Sequence, residues 1–175
     1  MENRLLFQPF AVRGMALRNR IVMPPMVSNT GIVTDAGIAW YRERARGGVG
    51  LVIVEATWLD RFTDPGFARG LAALVAAVKA EGAAIAIQLY QPPDLNGEPV
   101  AASAEEGRRA LTAAEIGGIV DAFAHATRVC RDAGFDGVQP HGAHGFLLNQ
   151  FFSPRFNRRA DAYGGSLERR MRLGL

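Results

Sequence analysis

Residues 49–57, VGLVIVEAT, form the most strand-like run of the sequence, with apolar and mostly β-branched side chains in its central positions. A run that does not alternate with polar residues is typical of a parallel strand that is covered on both faces. Three further runs have related composition, at residues 19–26 (NRIVMPPM), 83–91 (AAIAIQLYQ) and 135–141 (FDGVQPH). The sequence therefore predicts four buried strands.

Helix signals lie between these strands and after the last one. Pro65 has the position of a first helical residue, and Glu115 stands three residues after a threonine, as in a capping box. Regular alternation of strand and helix predicts parallel strands with right-handed crossovers. The predicted caps share a side-chain oxygen that can accept from first-turn N–H groups, and they are Thr34 or Asp35, Asp64, Thr112 and Ser166.

Two architectures fit four βα units, a doubly wound open sheet and a β/α barrel. No G-x-G-x-x-G follows any predicted strand, which counts against a dinucleotide-binding Rossmann domain. Polar residues gather instead at the carboxyl ends of the strands, among them Glu55, Gln88 and His141. Barrel active sites lie at those ends, so the pattern favours the barrel. Residues 5–19 precede the first strand and predict a hairpin.

Composition narrows the class of protein. The 175 residues are 49% apolar and 21% charged, which is typical of a globular domain. No apolar run reaches the ~20 residues that span a bilayer, and no signal-peptide pattern opens the chain. Cys130 is the sole cysteine, so no internal disulfide forms, and we expect a cytoplasmic protein. Acids interrupt the arginines of residues 155–172 and no recognition motif surrounds them, which favours a solvated or partner-facing surface over nucleic-acid binding.

Two histidines, His141 and His144, stand three residues apart in residues 137–146, GVQPHGAHGF. One at a strand end and one in the following turn can point at a single oxygen of a bound substrate. Structural hydrogen bonding is the second interpretation. A metal site is the third, but it needs another ligand, and His125 is remote in the sequence with no acidic-His motif around it.

The sequence resembles the Old Yellow Enzyme family, the FMN-dependent NAD(P)H:flavin oxidoreductases and ene-reductases. The matching blocks run from LFQPFAVRGMALRNRIVMPPM through YRERARGGVGLVIVEAT and IAIQL to AGFDGVQPHGAHGFLLNQFFSPRFNRRADAYGGSLERRMR. They cover nearly the whole chain. The resemblance implies a TIM-type (β/α)8 barrel of which residues 1–175 are a single half-barrel domain. Residues 1–18 would be a hairpin-like cap, and residues 19–175 four βα units.

The resemblance also implies a site. The backbone of Pro25, Met26 and Val27 would lie against the isoalloxazine of FMN. Ala56 would meet its pyrimidine side, and the amide of Gln88 would hydrogen-bond the pyrimidine edge. By the same resemblance, His141 and His144 are the catalytic pair that holds a substrate carbonyl beside Phe146, so that hydride from flavin reaches an activated alkene. NAD(P)H would be the reductant, and no metal is implied.

The sequence departs from the family pattern at several positions. Phe146 stands where many members have a tyrosine that donates a proton to the substrate, and phenylalanine has no proton to give. Gln139 and Pro140 replace an acidic–aliphatic pair, and Val27 replaces a Cys or Thr of some members. Pro140 removes one ladder donor, a loss that we expect an edge strand to tolerate.

The family barrel has eight units, and its second half supplies the flavin-phosphate site, which these 175 residues lack. A half-barrel would expose sheet edges and an apolar interior. We therefore expect a homodimer or a partner chain that completes the barrel. The alternative to the redox function is a half-barrel without FMN that acts as a binding protein, an acid–base isomerase or cyclase, or a structural subunit.

Overall fold

The computed structural model describes residues 4–175, so residues 1–3 of the predicted N-terminal cap lie outside the described chain. Its strands are β1 (Phe10–Val12), β2 (Met15–Leu17), β3 (Val22–Met23), β4 (Leu51–Trp58), β5 (Ala84–Tyr90), β6 (Asp94–Leu95), β7 (Glu98–Ala101), β8 (Arg109–Ala110) and β9 (Gly137–Pro140). Its α-helices are α1 (Asp35–Arg46), α2 (Pro65–Ala80), α3 (Ala113–Asp132), α4 (Leu147–Phe152) and α5 (Leu167–Met171). Two short 3-10 helices span Leu59–Thr63 and Arg172–Gly174.

The four predicted strands form one sheet in the order β3-β4-β5-β9, and β3 pairs with β4 in parallel. The first strand is shorter than predicted, because Pro24 and Pro25 follow Met23 directly and proline cannot donate to a strand ladder. β9 is the last strand in this order, and Pro140 is its final residue. That Pro140 lies on an edge strand stays a prediction. The predicted N-terminal hairpin is also confirmed, since β1 pairs with β2 antiparallel.

The predicted helix caps form the expected hydrogen bonds. The Thr34 hydroxyl accepts from the N–H of Gly37 at 3.1 Å, and the Asp64 carboxylate accepts from Gly66 at 2.7 Å. Thr112 and Glu115 form the reciprocal capping box at the start of α3, where the Glu115 carboxylate accepts from the Thr112 N–H at 2.8 Å and the Thr112 hydroxyl accepts from the Glu115 N–H at 3.2 Å. These bonds satisfy N–H groups that the first helical turn leaves without partners.

Contacts divide the described chain into two compact units, each with its own apolar cluster. The first unit comprises residues up to Gln88 together with Ala126–Gln139. Leu17, Leu51, Ile53 and Ala86 pack together there. The prediction of a single domain over residues 1–175 stays a prediction.

The second unit comprises Leu89–His125 and Pro140–Leu175, and it contains two elements that the sequence did not predict. One is the small sheet β6-β7-β8, and the other is α4. Phe151 of α4 is fully buried in the cluster of this unit. The other buried members of the cluster are Val100, Ala102, Leu111, Ile116, Ile119, Leu147, Leu148 and Leu173.

Arg159 ties together three segments of the second unit. One of its Nη atoms donates to the carbonyl oxygens of Ala102 and Leu111, at 2.8 and 2.7 Å. The other donates to the Asp161 carboxylate at 2.6 Å, and this contact lowers the pKa of Asp161 below its ordinary value. The two Nη atoms of a planar guanidinium serve acceptors on both sides of the fork at fixed angles, whereas lysine has a single donor atom, so lysine would not replace this clamp.

None of the helices within residues 4–175 combines the length and the apolar character that a membrane crossing requires.

Candidate active site

The segment that follows β3 presents apolar side chains to solvent in the first unit. Pro25 is half-buried, whereas Met26 and Val27 are 61% and 62% exposed. Exposed apolar side chains at a strand end are unusual in a segment that only connects two elements, and they suit contact with a flat apolar ligand.

Glu55 of β4 anchors this segment. Its carboxylate accepts from the backbone N–H of Ser28 at 2.7 Å and from the hydroxyl of Tyr41 at 3.0 Å. Tyr41 lies on α1 and is fully buried, and burial raises the pKa of its phenol. The same phenol oxygen accepts from the Glu55 N–H at 3.0 Å. Glu55 therefore fixes the backbone after β3 through hydrogen bonds to its carboxylate, a role that the residue type alone did not reveal.

Gln88 near the end of β5 is held by a second glutamine. Its Nε2 atom donates to Oε1 of Gln139, on β9, at 2.7 Å. Both side chains are half-buried. This bond directs the amide nitrogen of Gln88 toward Gln139 and fixes which side of the amide is the acceptor. Gln139 was noted in the sequence only as a departure from a family pattern, and its contact with Gln88 depends on strand order.

Two further positions lie at the end of β4. Ala56 is half-buried, as a small residue beside a ligand would be. The indole Nε1 of Trp58 is buried without a hydrogen-bond partner among the described residues. Buried polar groups are ordinarily paired, so this N–H is a donor that a bound acceptor would satisfy.

His141 in the second unit is buried and oriented. Its backbone N–H donates to the carbonyl of Leu89 at 2.8 Å, and its Nδ1 accepts from the N–H of Ala143 at 3.3 Å. Burial, with the nearby His144, lowers the pKa of His141 below its ordinary value of 6.5, so the ring is neutral at pH 7. A neutral imidazole that accepts at Nδ1 carries its proton on Nε2, which makes Nε2–H a hydrogen-bond donor.

His144 lies beside His141 in a strained backbone conformation. The two ring centroids are 5.0 Å apart in an edge-to-face arrangement. The φ angle of His144 is +57°, in the left-handed region that non-glycine residues seldom adopt. Such strain persists where the surrounding structure enforces it and is concentrated at functional sites. The pair predicted from the sequence is thus brought together.

Phe146 connects the histidines to a further aromatic side chain. Its ring centroid is 4.8 Å from that of His141 and also 4.8 Å from that of Tyr90, the last residue of β5. Sequence reasoning missed Tyr90, because it stands in an apolar strand where an aromatic residue usually serves the core.

A cavity of about 330 Å³ adjoins this cluster within the second unit. His144 and Phe146 line one part of it, and the ion pair of Arg108 with Glu105, 3.1 Å long, lines another. The remaining lining residues are Pro93, Gly145, Gln150 and Phe156. Its volume is at the lower end of the range for small-molecule sites.

Neither a metal site nor a reactive cysteine is found among the described residues. Within residues 4–175 no group of three or more His, Cys, Asp or Glu side chains is placed to hold a metal ion. Burial raises the pKa of the Cys130 thiol to about 12, so this cysteine is protonated at pH 7 and is not a nucleophile.

Comparison with known proteins identifies the family. The sequence profile of the NADH:flavin oxidoreductase / NADH oxidase family matches residues 5–175. The chain belongs to this family. The resemblance to Old Yellow Enzyme and the fold class, four βα units of a TIM-type barrel, are thereby confirmed.

Three members of the family illustrate the similarity. An NADPH dehydrogenase of Clostridium acetobutylicum is 42% identical over 192 residues, covering 96% of this chain and 57% of that protein. An NADH oxidase of Thermoanaerobacter brockii is 40% identical, covering 97% of this chain and 30% of that protein. The crystal structure of Old Yellow Enzyme from Pichia sp. AKU4542 matches with a TM-score of 0.87 at 30% identity, covering 97% of this chain and 54% of that one. The chain therefore spans little more than half the length of these relatives, or less.

Proposed function

We propose that the protein is an FMN-dependent NAD(P)H oxidoreductase of the ene-reductase type, which reduces an activated alkene. The observation that carries the proposal is the state of His141, a buried neutral imidazole whose Nε2–H is a fixed donor. A donor held in place before the substrate binds stabilises the negative charge that develops on a carbonyl oxygen during alkene reduction. His144 would supply the second donor to the same oxygen.

The residues of the first unit fit the chemistry of a flavin. The backbone of Pro25, Met26 and Val27 would hold one face of the ring system, and half-buried Ala56 would leave room beside it. Gln88 would bind the pyrimidine edge, whose C=O and N–H groups need both an acceptor and a donor. Bound FMN, once reduced by NAD(P)H, would supply the hydride that the alkene receives at its β-carbon.

Gln139 would act through Gln88 in this proposal. Its Oε1 occupies one amide hydrogen of Gln88 at 2.7 Å, so the Gln88 carbonyl and the second amide hydrogen remain for the ligand. Holding the amide in one orientation lowers the entropy lost when the flavin binds.

Relatives support a redox function over the non-redox alternatives. Those described above are called an NADPH dehydrogenase and an NADH oxidase, names that join the family to nicotinamide reductants. NAD(P)H is therefore the reductant that we propose. We also propose a cytoplasmic location, where NAD(P)H would be available as the reductant.

The test is FMN binding followed by reduction. We expect the purified protein to bind FMN with a flavin absorption band that NAD(P)H bleaches. Replacing Gln88 with leucine removes amide hydrogen bonds to the ring, so Gln88→Leu is expected to weaken FMN binding about 10-fold. Gln8 is exposed and lies outside the candidate site, so Gln8→Leu is the matched control and should bind as the parent does. A colourless protein that does not bind added FMN would contradict the proposal.

We further propose that the chain assembles as a homodimer. Leu5, Phe7, Phe10 and Val12 in and before the N-terminal hairpin are all exposed, and so many large exposed apolar side chains within eight residues suit contact with a partner. Light scattering on the purified protein is expected to give twice the mass of the chain, and Phe7→Ser with Phe10→Ser should shift it to the monomer. A monomeric parent protein at micromolar concentration would contradict this proposal, and copurification of a different chain would replace the homodimer with a partner chain.

A further inference from the structure

Reduction of a carbon–carbon double bond requires a proton as well as a hydride. Hydride arrives at the β-carbon, and the electrons of the double bond move toward the carbonyl oxygen. A proton must then form the new C–H bond at the α-carbon. Phe146, which contacts His141, has no exchangeable proton, so the donor must be another group or water.

The chain has three tyrosines, and two of them are committed elsewhere. The Tyr41 hydroxyl donates to Glu55 and its side chain is fully buried on α1 in the first unit. Tyr163 packs against the apolar cluster of the second unit, with its ring 6.4 Å from that of Phe151. Tyr90 is the tyrosine that lies in the aromatic group around His141.

Tyr90 is positioned by the same backbone that positions His141. The carbonyl of Leu89, the residue before Tyr90, accepts the N–H of His141 at 2.8 Å, so the two strand ends are held side by side. The Tyr90 ring packs on Phe146 at 4.8 Å with an interplanar angle of 53°, and Phe146 packs on His141 at 4.8 Å. Tyr90 is half-buried, so part of the residue is in contact with solvent.

We propose that Tyr90 is the general acid of the reaction, an inference that rests on the proposed function. With the carbonyl oxygen held by His141, hydride from the reduced flavin forms the C–H bond at the β-carbon, and Tyr90 gives up its proton in the same step, so the rate of flavin reoxidation depends on the acid. The O–H bond of Tyr90 breaks, and its proton forms the C–H bond at the α-carbon. The resulting tyrosinate regains a proton from water, so the residue returns to its starting state.

The tyrosine that donates the proton does not need to stand at position 146 for this chemistry. It needs to lie beside the substrate carbon that becomes electron-rich, and that carbon is adjacent to the carbonyl group that His141 binds. Two side chains in contact with the Phe146 ring, one imidazole and one phenol, supply the oxygen-binding donor and the acid separately. The acid has moved from the turn after β9 to the end of β5.

The test separates proton transfer from electron transfer in the FMN-loaded protein. With an α,β-unsaturated ketone as oxidant, Tyr90→Phe is expected to slow flavin reoxidation about 100-fold in stopped-flow measurements, because general acids contribute at least that factor. With ferricyanide, which takes electrons only, the rate should stay at the parent value. Tyr163→Phe, the same change in the core, is the matched control and should alter neither rate.

The double variant Tyr90→Phe with Phe146→Tyr exchanges the two rings that are in contact, so that position 146 now carries the phenol. It is expected to regain at least 10-fold of the lost rate with the ketone, because the acid is restored beside the same carbon.

Three results would overturn the inference. An unchanged ketone rate in Tyr90→Phe would show that water or another group is the acid. An equal loss with ferricyanide would assign Tyr90 a structural role only. A protein that binds no FMN would overturn the proposed function, and this inference with it, whereas the first two results leave the proposed function intact.

Discussion

Replacing His141 with alanine is expected to lower the rate of alkene reduction by about 10²- to 10³-fold, which corresponds to roughly 3–4 kcal/mol of transition-state stabilisation. The loss is this large because the imidazole is already buried and neutral, and its donor is fixed by the bond from the Ala143 N–H to Nδ1. Water that replaces the ring would have to be ordered during the reaction. Steady-state kinetics with an α,β-unsaturated ketone, alongside ferricyanide reduction, measure the effect.

The third histidine provides the control. His125 is exposed on α3, so His125→Ala should retain the parent rate. His141→Gln is the informative second variant, since its amide can place an N–H donor near the position of Nε2, and we expect it to recover part of the loss. Equal rates for parent and His141→Ala would remove His141 from the catalytic residues.

The rate of the parent should also fall in acid. Burial keeps the pKa of His141 below 6.5, so the neutral ring that accepts from Ala143 persists at pH 7 and is lost as the pH drops through that lowered pKa. The unfolded chain takes up this proton at a higher pH than the folded chain, so protonation of His141 also decreases the free energy of unfolding as the pH falls below 6.5.

The second large effect is on stability. Gly37→Ala is expected to destabilise the protein by about 3 kcal/mol, with a melting temperature roughly 10 °C lower. A Cβ atom on Gly37 would lie 1.9 Å from the carbonyl oxygen of Gly31. That oxygen accepts from both the N–H and the hydroxyl of Thr34, at 3.1 and 2.9 Å, so it cannot move without disturbing the cap of α1.

The same substitution at Gly118 is expected to stabilise the protein instead of destabilising it. Gly118 is exposed in α3, and no atom lies within 4 Å of the position of its added Cβ. Gly118→Ala should therefore stabilise the protein by up to about 1 kcal/mol, because alanine loses less backbone entropy than glycine in a helix. Thermal unfolding followed by circular dichroism compares the two variants. A Gly37→Ala protein as stable as the parent would contradict the close approach to Gly31.

Local signals in the sequence predicted most of the first unit. Caps such as Thr34 and Asp64 act within a few residues of themselves, so their hydrogen bonds follow from spacing alone. The long apolar run of β4 likewise predicts a buried strand whatever surrounds it. The small sheet β6-β7-β8 was missed, because each of its strands has two to four residues and no periodicity develops over that length.

Some residues of the candidate site were likewise found from local signals in the sequence, and others were missed because their contacts are distant in the chain. His141 and His144 were found because they are three residues apart and near a strand end. Tyr90 and Gln139 were not assigned roles, since their partners Phe146 and Gln88 lie about 50 residues away in the chain. Only the pairing of strand ends brings such residues into contact, and side-chain type gives no signal of it.

The Arg159 clamp has a consequence for how this protein can be altered. The two carbonyls that it binds, at Ala102 and Leu111, stand at the two ends of residues 103–110. The guanidinium therefore holds both ends of the segment formed by the turn at residues 103–108 and strand β8, and the entropy of closing a loop increases only slowly with its length. Residues 104–108 include Glu105 and Arg108, which line the cavity beside His144. This short segment can therefore be replaced by other sequences of similar length. We expect exchange of residues 104–108 to change the lining of this cavity while the Arg159 hydrogen bonds to Ala102 and Leu111 are kept.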